Sequence, residues 1–107
     1  MTMFDDRERA AEAAFVHDQE MQFRIVARRN RLIGHWAADR MHLTPAEKDA
    51  YAKSVVQAEF EEAGDEDVIR KLLGDLTGAG VEIDEQVIRS VLAEKAAEAK
   101  RQVLEER

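Results

Sequence analysis

The sequence predicts an all-α protein, a small four-helix bundle preceded by a flexible, helix-competent N-terminal arm. Three observations carry this. Large apolar residues recur at spacings of three and four, with no sustained period-two alternation that would mark a strand. The periodic segments are joined by short connections, which imply mainly antiparallel helical neighbours. Residues 1 to 33 contain neither Gly nor Pro, yet positions Asp5 to Ala14 hold nothing apolar larger than Ala. A helix in a small protein is stable mainly through its packed apolar face, so this opening stretch can be helical but has almost nothing to bury. Alone it should fray, and it should fold against a partner; an ordinary mobile terminus would have the same composition. The chain divides into an arm, residues 1–19, and a bundle domain, residues 20–107.

The first helix of the bundle is predicted from about Glu20 to Met41, with Phe23, Ile25, Val26, Leu32, Ile33, Trp36 and Met41 on one side of the 3.6-residue period. Gly34 inside it should cost about 1 kcal/mol of helix propensity. Thr44-Pro45-Ala46-Glu47 opens the second helix as a capping box, with Pro at the first helical position, where no amide donor is needed. That helix carries Tyr51, Val55 and Ala58 inward, with Phe60 as a further candidate, and Gly64 suits a left-handed residue after its end. Asp65 is expected to cap the third helix, whose Val68, Ile69, Leu72, Leu73 and Leu76 form an amphipathic stripe. Gly78-Ala79-Gly80 ends it in a turn. Asp84 caps the last helix, Ile83 can close on Ile88 as a hydrophobic staple, and Val87, Ile88, Val91, Leu92, Ala96, Ala99 and Val103 form the inner face.

At 107 residues there is room for one globular unit. The 23 acidic against 16 basic side chains, a net charge of −7, argue against a chain built to neutralise nucleic acid. Cysteine is absent. Disulfides and thiolate metal sites are therefore excluded, and a reducing cytoplasm fits. No apolar run approaches the 18 or so residues of a membrane span, so direct membrane insertion is not expected.

Candidate sites are few. Arg24, Arg28, Arg31 and His35 fall within one narrow stripe of the first helix, on the side away from its apolar face, and His17 would extend it upstream. Such a stripe suits an acidic protein surface or the phosphates of a nucleotide; a solvated helix face has the same pattern. Arg29 and Asn30 point instead toward the apolar half, where Arg29 needs a carboxylate or carbonyl from another element. His17, His35 and His42 form no i, i+4 pair, so no metal is expected. Ser54 and Ser90 lie mid-helix without a nucleophile elbow, and Trp36 shares a face with Ile33 and Ala37, as a core residue does. Nothing here suggests an enzyme.

One resemblance covers nearly the whole chain, thinning after about Gly80. Phe4-Asp5-Asp6-Arg7-Glu8-Arg9-Ala10, Phe15-Val16-His17-Asp18-Gln19-Glu20, Ala27-Arg28-Arg29-Asn30-Arg31-Leu32-Ile33-Gly34 with Trp36-Ala37-Ala38, Tyr51-Ala52-Lys53 and Gly64-Asp65-Glu66-Asp67-Val68 together resemble the zeta subunits that regulate the F-type ATP synthase of alphaproteobacteria. Departures are His35 in place of an aliphatic residue and His42 in place of Gly. The resemblance implies a four-helix bundle and an inhibitor that blocks ATP hydrolysis by inserting its N-terminal segment into the catalytic α/β interface, near the rotor γ subunit. Carried onto this chain, the inhibitory element is Phe4, Asp5, Asp6, Arg7, Glu8, Arg9, Ala11 and Phe15. It also implies a protein that is a monomer when free, cytoplasmic, and peripheral at the inner membrane through the synthase. No cofactor is expected beyond weak ADP or ATP binding, for which the Arg24, Arg28, Arg31 and His35 stripe is the candidate. Two other classes compete with the inhibitor reading: an adenine-nucleotide-sensing module and a generic helical adaptor.

Overall fold

A computed structural model of the chain describes residues 3–61 and 64–106, with side chains from Asp18 onward. Four helices in chain order make up the architecture: α1 Met3–Arg40, α2 Pro45–Glu61, α3 Asp65–Gly78 and α4 Glu85–Glu105. Among the described residues there is no strand. Helix α1 runs without a break across the expected boundary between arm and bundle, so the backbone of the arm continues the first bundle helix.

Side-chain pairs fix the directions. Along α1, Phe23, Gly34, His35 and Asp39 face Phe60, Ala52, Asp49 and Lys48 of α2, so rising numbers on one helix meet falling numbers on the other. Arg24 and Arg28 reach Glu106 and Gln102 just beyond and within the end of α4, so α4 also runs against α1. Tyr51 donates to Asp75 of α3 at 2.8 Å. Burial, reinforced by that bond, raises the phenol well above its ordinary pKa.

The core is built from Ile33, Ala37, Val55, Val68, Ile69, Leu72, Leu76, Ile88 and Leu92, drawn from all four helices. Trp36 packs on its edge rather than inside it, and the Arg40 guanidinium covers the ring at 4.8 Å from the centroid. Two residues expected on inner faces lie outside. Val87 is exposed in the first turn of α4, and Phe23 is 56% exposed. Phe23 instead packs its ring against Phe60 of α2, with centroids 5.1 Å apart, while the close contact between α1 and α2 lies farther along, at Gly34 and Ala52.

Turn chemistry decides the connections. The capping box forms as expected, with Glu47 N–H donating to Thr44 Oγ1 at 3.3 Å and Thr44 N–H to Glu47 Oε1 at 2.8 Å. Asp84 accepts from Gln86 N–H at 2.9 Å, and Ile83 packs on the core cluster that holds Ile88. Helix α3 ends as a Schellman motif: Gly80 is left-handed, Val81 N–H donates to Leu76 O at 2.9 Å and Gly80 N–H to Thr77 O at 3.0 Å.

The same motif ends α1, with Leu43 N–H to Ala38 O and His42 N–H to Asp39 O, each at 3.2 Å. Its left-handed position is held by His42 at φ 57°, which gives a structural reason for the glycine expected there. Two cap assignments need correction. Gly64 has φ 129° and ψ 149°, an extended mirror-image conformation, and it stands as the N-cap of α3 rather than as a left-handed residue. Asp65 is the first residue of α3, the N-cap Gly64 has no side chain to cap the helix, and the Asp65 carboxylate accepts from Arg29.

Gly34 carries more than a propensity cost. A Cβ placed there would sit 2.7 Å from the Cα of Ala52. Backbone, not a flexible tip, blocks it. Gly34→Ala is expected to destabilise by about 1 to 3 kcal/mol despite the better helix propensity of Ala. Gly74→Ala, where a Cβ meets nothing within 4 Å, should stabilise by about 0.5 to 1 kcal/mol. His42→Gly should stabilise by about 1 kcal/mol by relieving the left-handed strain. Urea titration of the three variants measures all of this, and a Gly34→Ala protein as stable as wild type would contradict the close contact.

Candidate partner-binding site

The residues singled out in the sequence fall into three places. Phe4, Asp5, Asp6, Arg7, Glu8, Arg9, Ala11, Phe15 and His17 belong to a stretch whose side chains lie outside the described residues. Their backbone from Met3 onward is part of α1. Asp18, Gln19 and Glu20 are exposed, and Met21 is the first buried side chain of the described chain.

The basic stripe is divided between two neighbours rather than left on an open face. Arg28 lies 2.6 Å from Glu106 and bonds Gln102 at 2.8 Å, while Arg24 reaches Glu106 at 3.3 Å. His35 lies 3.5 Å from Asp49 of α2. The expectation that the stripe lies away from the packed side therefore needs correction. It runs along the seam where α1 meets α4 and α2, which places carboxylates within reach of three of its members. Arg31 is exposed, and among the described residues it has no carboxylate partner. A phosphate at this stripe would have to compete with Glu106 and Asp49.

Arg29 and Asn30 fulfil the expectation of a partnered cation on the apolar side. Arg29 is 7% exposed, and its Nη1 lies 2.8 Å from Asp65 Oδ1 at the start of α3. Its Nη2 lies 3.7 Å from Glu59 Oε2 of α2, and its Nε donates to Asn30 Oδ1 at 3.0 Å. One guanidinium therefore ties α1 to both α2 and α3. Occupation of Asn30 Oδ1 by Arg29 fixes the orientation of that amide and leaves Nδ2 as its other end.

Asn30 Nδ2 and Glu59 Oε2 are buried without hydrogen-bond partners among the described residues. Both residues line an open cleft of about 290 Å³ between α1 and α2, whose other walls are Gln22, Phe23, Val26, Ala27, Val56 and Phe60. Phe23 and Phe60 meet at its side with ring centroids 5.1 Å apart. The sequence places Phe23 on the inner face and Phe60 as a further candidate for it, and does not show the cleft.

Across α3 and α4, Arg89 clamps Glu66 with two bonds of 2.9 and 2.8 Å. Those bonds hold the Glu66 carboxyl below its ordinary pKa. The pair is exposed and screened, so it orients the two helices more than it stabilises them. No described helix is long and apolar enough to cross a membrane.

Truncation separates the two kinds of arginine. Arg29→Ala would remove the buried cation that bonds exposed Asp65 and buried Asn30 and faces Glu59, and is expected to cost about 1.5 to 3 kcal/mol. Arg24→Ala and Arg28→Ala, at exposed and half-exposed pairs, should each cost about 0 to 1 kcal/mol. Denaturant melts of the three variants check this, and equal losses would contradict the assigned burial.

Comparison with known proteins agrees with this architecture. The model of the family described as ATPase inhibitor subunit zeta matches residues 1–102. A protein solved by solution NMR is similar at 46% sequence identity with a TM-score of 0.71, over 81% of this chain and 99% of that one. No curated protein matches the chain.

Proposed function

The chain belongs to the ATPase inhibitor subunit zeta family, and on that premise we propose that it is a non-enzymatic brake whose arm, residues 1–19, inserts into the catalytic α/β interface of the F-type ATP synthase near the rotor γ subunit. Family membership carries the coarser statement, a regulatory inhibitor of the synthase. The finer one rests on the division of labour along α1.

That helix continues from Met3 to Arg40, and among the described side chains, from Asp18 onward, the first buried one is Met21. The bundle grips the second half of the helix through Arg29, Gly34 and the alanines that follow. The first half carries Phe4, Ala11 and Phe15 on one sequence-derived stripe, flanked by Asp5, Asp6, Arg7, Glu8 and Arg9. Ordering such a segment costs about 1 to 2 kcal/mol per residue of backbone, and burial of the stripe in the α/β cleft offsets it. The bundle acts as a handle that holds the helix in direction and keeps the inhibitor at the head, which places it at the inner membrane through the synthase.

Deleting residues 1–15 is expected to leave the melting temperature of the bundle nearly unchanged and to abolish inhibition of ATP hydrolysis by cognate catalytic heads. Phe4→Ala and Phe15→Ala should each weaken inhibition, and hydrolysis should be affected more than synthesis. A truncated protein that inhibits as well as the full chain would overturn this reading, as would a bundle that unfolds without its arm.

A further inference from the structure

Two consecutive residues of α1 are held by the last turns of two different helices. Phe23 packs on Phe60, the last residue but one of α2. Arg24 meets Glu106, the C-cap residue of α4, at 3.3 Å. One turn further along α1, Arg28 takes the other oxygen of the same carboxylate at 2.6 Å and donates to Gln102 Oε1 at 2.8 Å. Helices α2 and α4 therefore end at one level of α1 and close on it there as a collar.

The α4 half of the collar is set in advance. Glu106 N–H donates to the carbonyls of Gln102 and Val103, and Val103 is buried, so the turn that carries the carboxylate is anchored in the bundle. Gln102 Nε2 donates to Glu98 Oε1 at 3.3 Å, which leaves its Oε1 for Arg28. Two cations one turn apart thus share one carboxylate, and one of them also takes the amide. The α2 half is an aromatic pair whose rings remain 56% and 58% exposed. Neither half carries much of the folding energy, because exposed pairs contribute little and the core lies further along α1, at Ile33 and Ala37.

What such a collar does is fix α1 itself. A helix is costly to start and cheap to extend, so the last turn that is held sets the point from which the residues before it continue. We propose that Phe60 and Glu106 are positioning residues for inhibition: by gripping Phe23, Arg24 and Arg28 they keep the root of the arm helical and aimed, and less backbone has to be ordered when the arm binds. This rests on the reading of residues 1–19 as the inhibitory arm. The grip is ionic on the α4 side and apolar on the α2 side, and only the ionic side is screened by salt.

The test uses the full chain carrying Glu106→Lys or Phe60→Ser, with Arg89→Ala as a control that breaks an exposed pair near the other end of α4. Amide hydrogen exchange of the free protein, its melting temperature and inhibition of ATP hydrolysis by cognate heads are read together. Glu106→Lys and Phe60→Ser should each speed exchange of residues 20–25 about fivefold and weaken inhibition about fivefold, with exchange of Ile33 to Ala38 and the melt unchanged. Arg89→Ala should change none of these. Added salt should speed exchange of residues 20–25 in wild type and should not do so in Glu106→Lys.

Weaker inhibition with unchanged exchange at residues 20–25 would overturn the proposal, because Phe60 or Glu106 would then act by touching the head. Faster exchange with undiminished inhibition would overturn it as well. The two readings fail separately: a chain lacking residues 1–15 that still inhibits refutes the arm, whereas exchange of residues 20–25 that ignores both substitutions refutes the collar.

Discussion

The close approach of α1 and α2 at Gly34 governs the rest of the structure. No methyl group fits between Gly34 and the backbone of Ala52, so the two helices have one depth of contact and one register. From that register follow the meeting of Phe23 with Phe60 and the reach of Arg29 to Glu59. The other helices close on the same frame. Helix α3 is tied to α1 through Asp65 and Arg29, and α4 lies along α1 so that Glu106 faces Arg24 and Arg28. A core of Val, Ile and Leu without such a contact point would be tolerant of sliding, because aliphatic side chains pack in many ways.

Much of this was legible in the sequence. The apolar repeats at three and four residues located α3 and most of α4, and the Thr44 to Glu47 box and Asp84 caps were readable because each is a local hydrogen-bond motif with fixed spacing. Arg29 and its need for a carboxylate were readable too, since a charge on an apolar face has few outcomes.

What escaped was tertiary. The helical wheel treats Phe23 and Ile33 as equals, yet only contact with a neighbour decides that Ile33 is fully buried and Phe23 is mostly exposed. Gly34 read as a weakness of one helix because its value lies in the distance to another. Asp65 has the residue type of a cap, yet it is the first residue of α3 and its carboxylate accepts from Arg29. The basic stripe was correctly placed on one line of α1, but a wheel does not show that α4 ends beside it.

The proposed function depends on a helix with two unequal halves. The second half of α1 is held on several sides by apolar contact, the Arg29 network and the pairs to Glu106. The first half has the composition of a segment that needs a surface from elsewhere. Helix α1 is continuous from Met3 to Arg40, so on the proposed reading the bundle sets the direction in which the arm leaves. The −7 net charge and the pairing of Arg24 and Arg28 within the chain suit a protein whose specificity lies in a shaped, mostly apolar stripe rather than in charge attraction.

Amide hydrogen exchange of the full chain, free and bound to cognate catalytic heads, tests this division most directly. The expected result is strong protection around Ile33 to Ala38 and Ala52 to Val55 in both states, with protection of residues 3–17 gained on binding. Equal protection of residues 3–17 in the two states, or gains confined to α3 and α4, would contradict it.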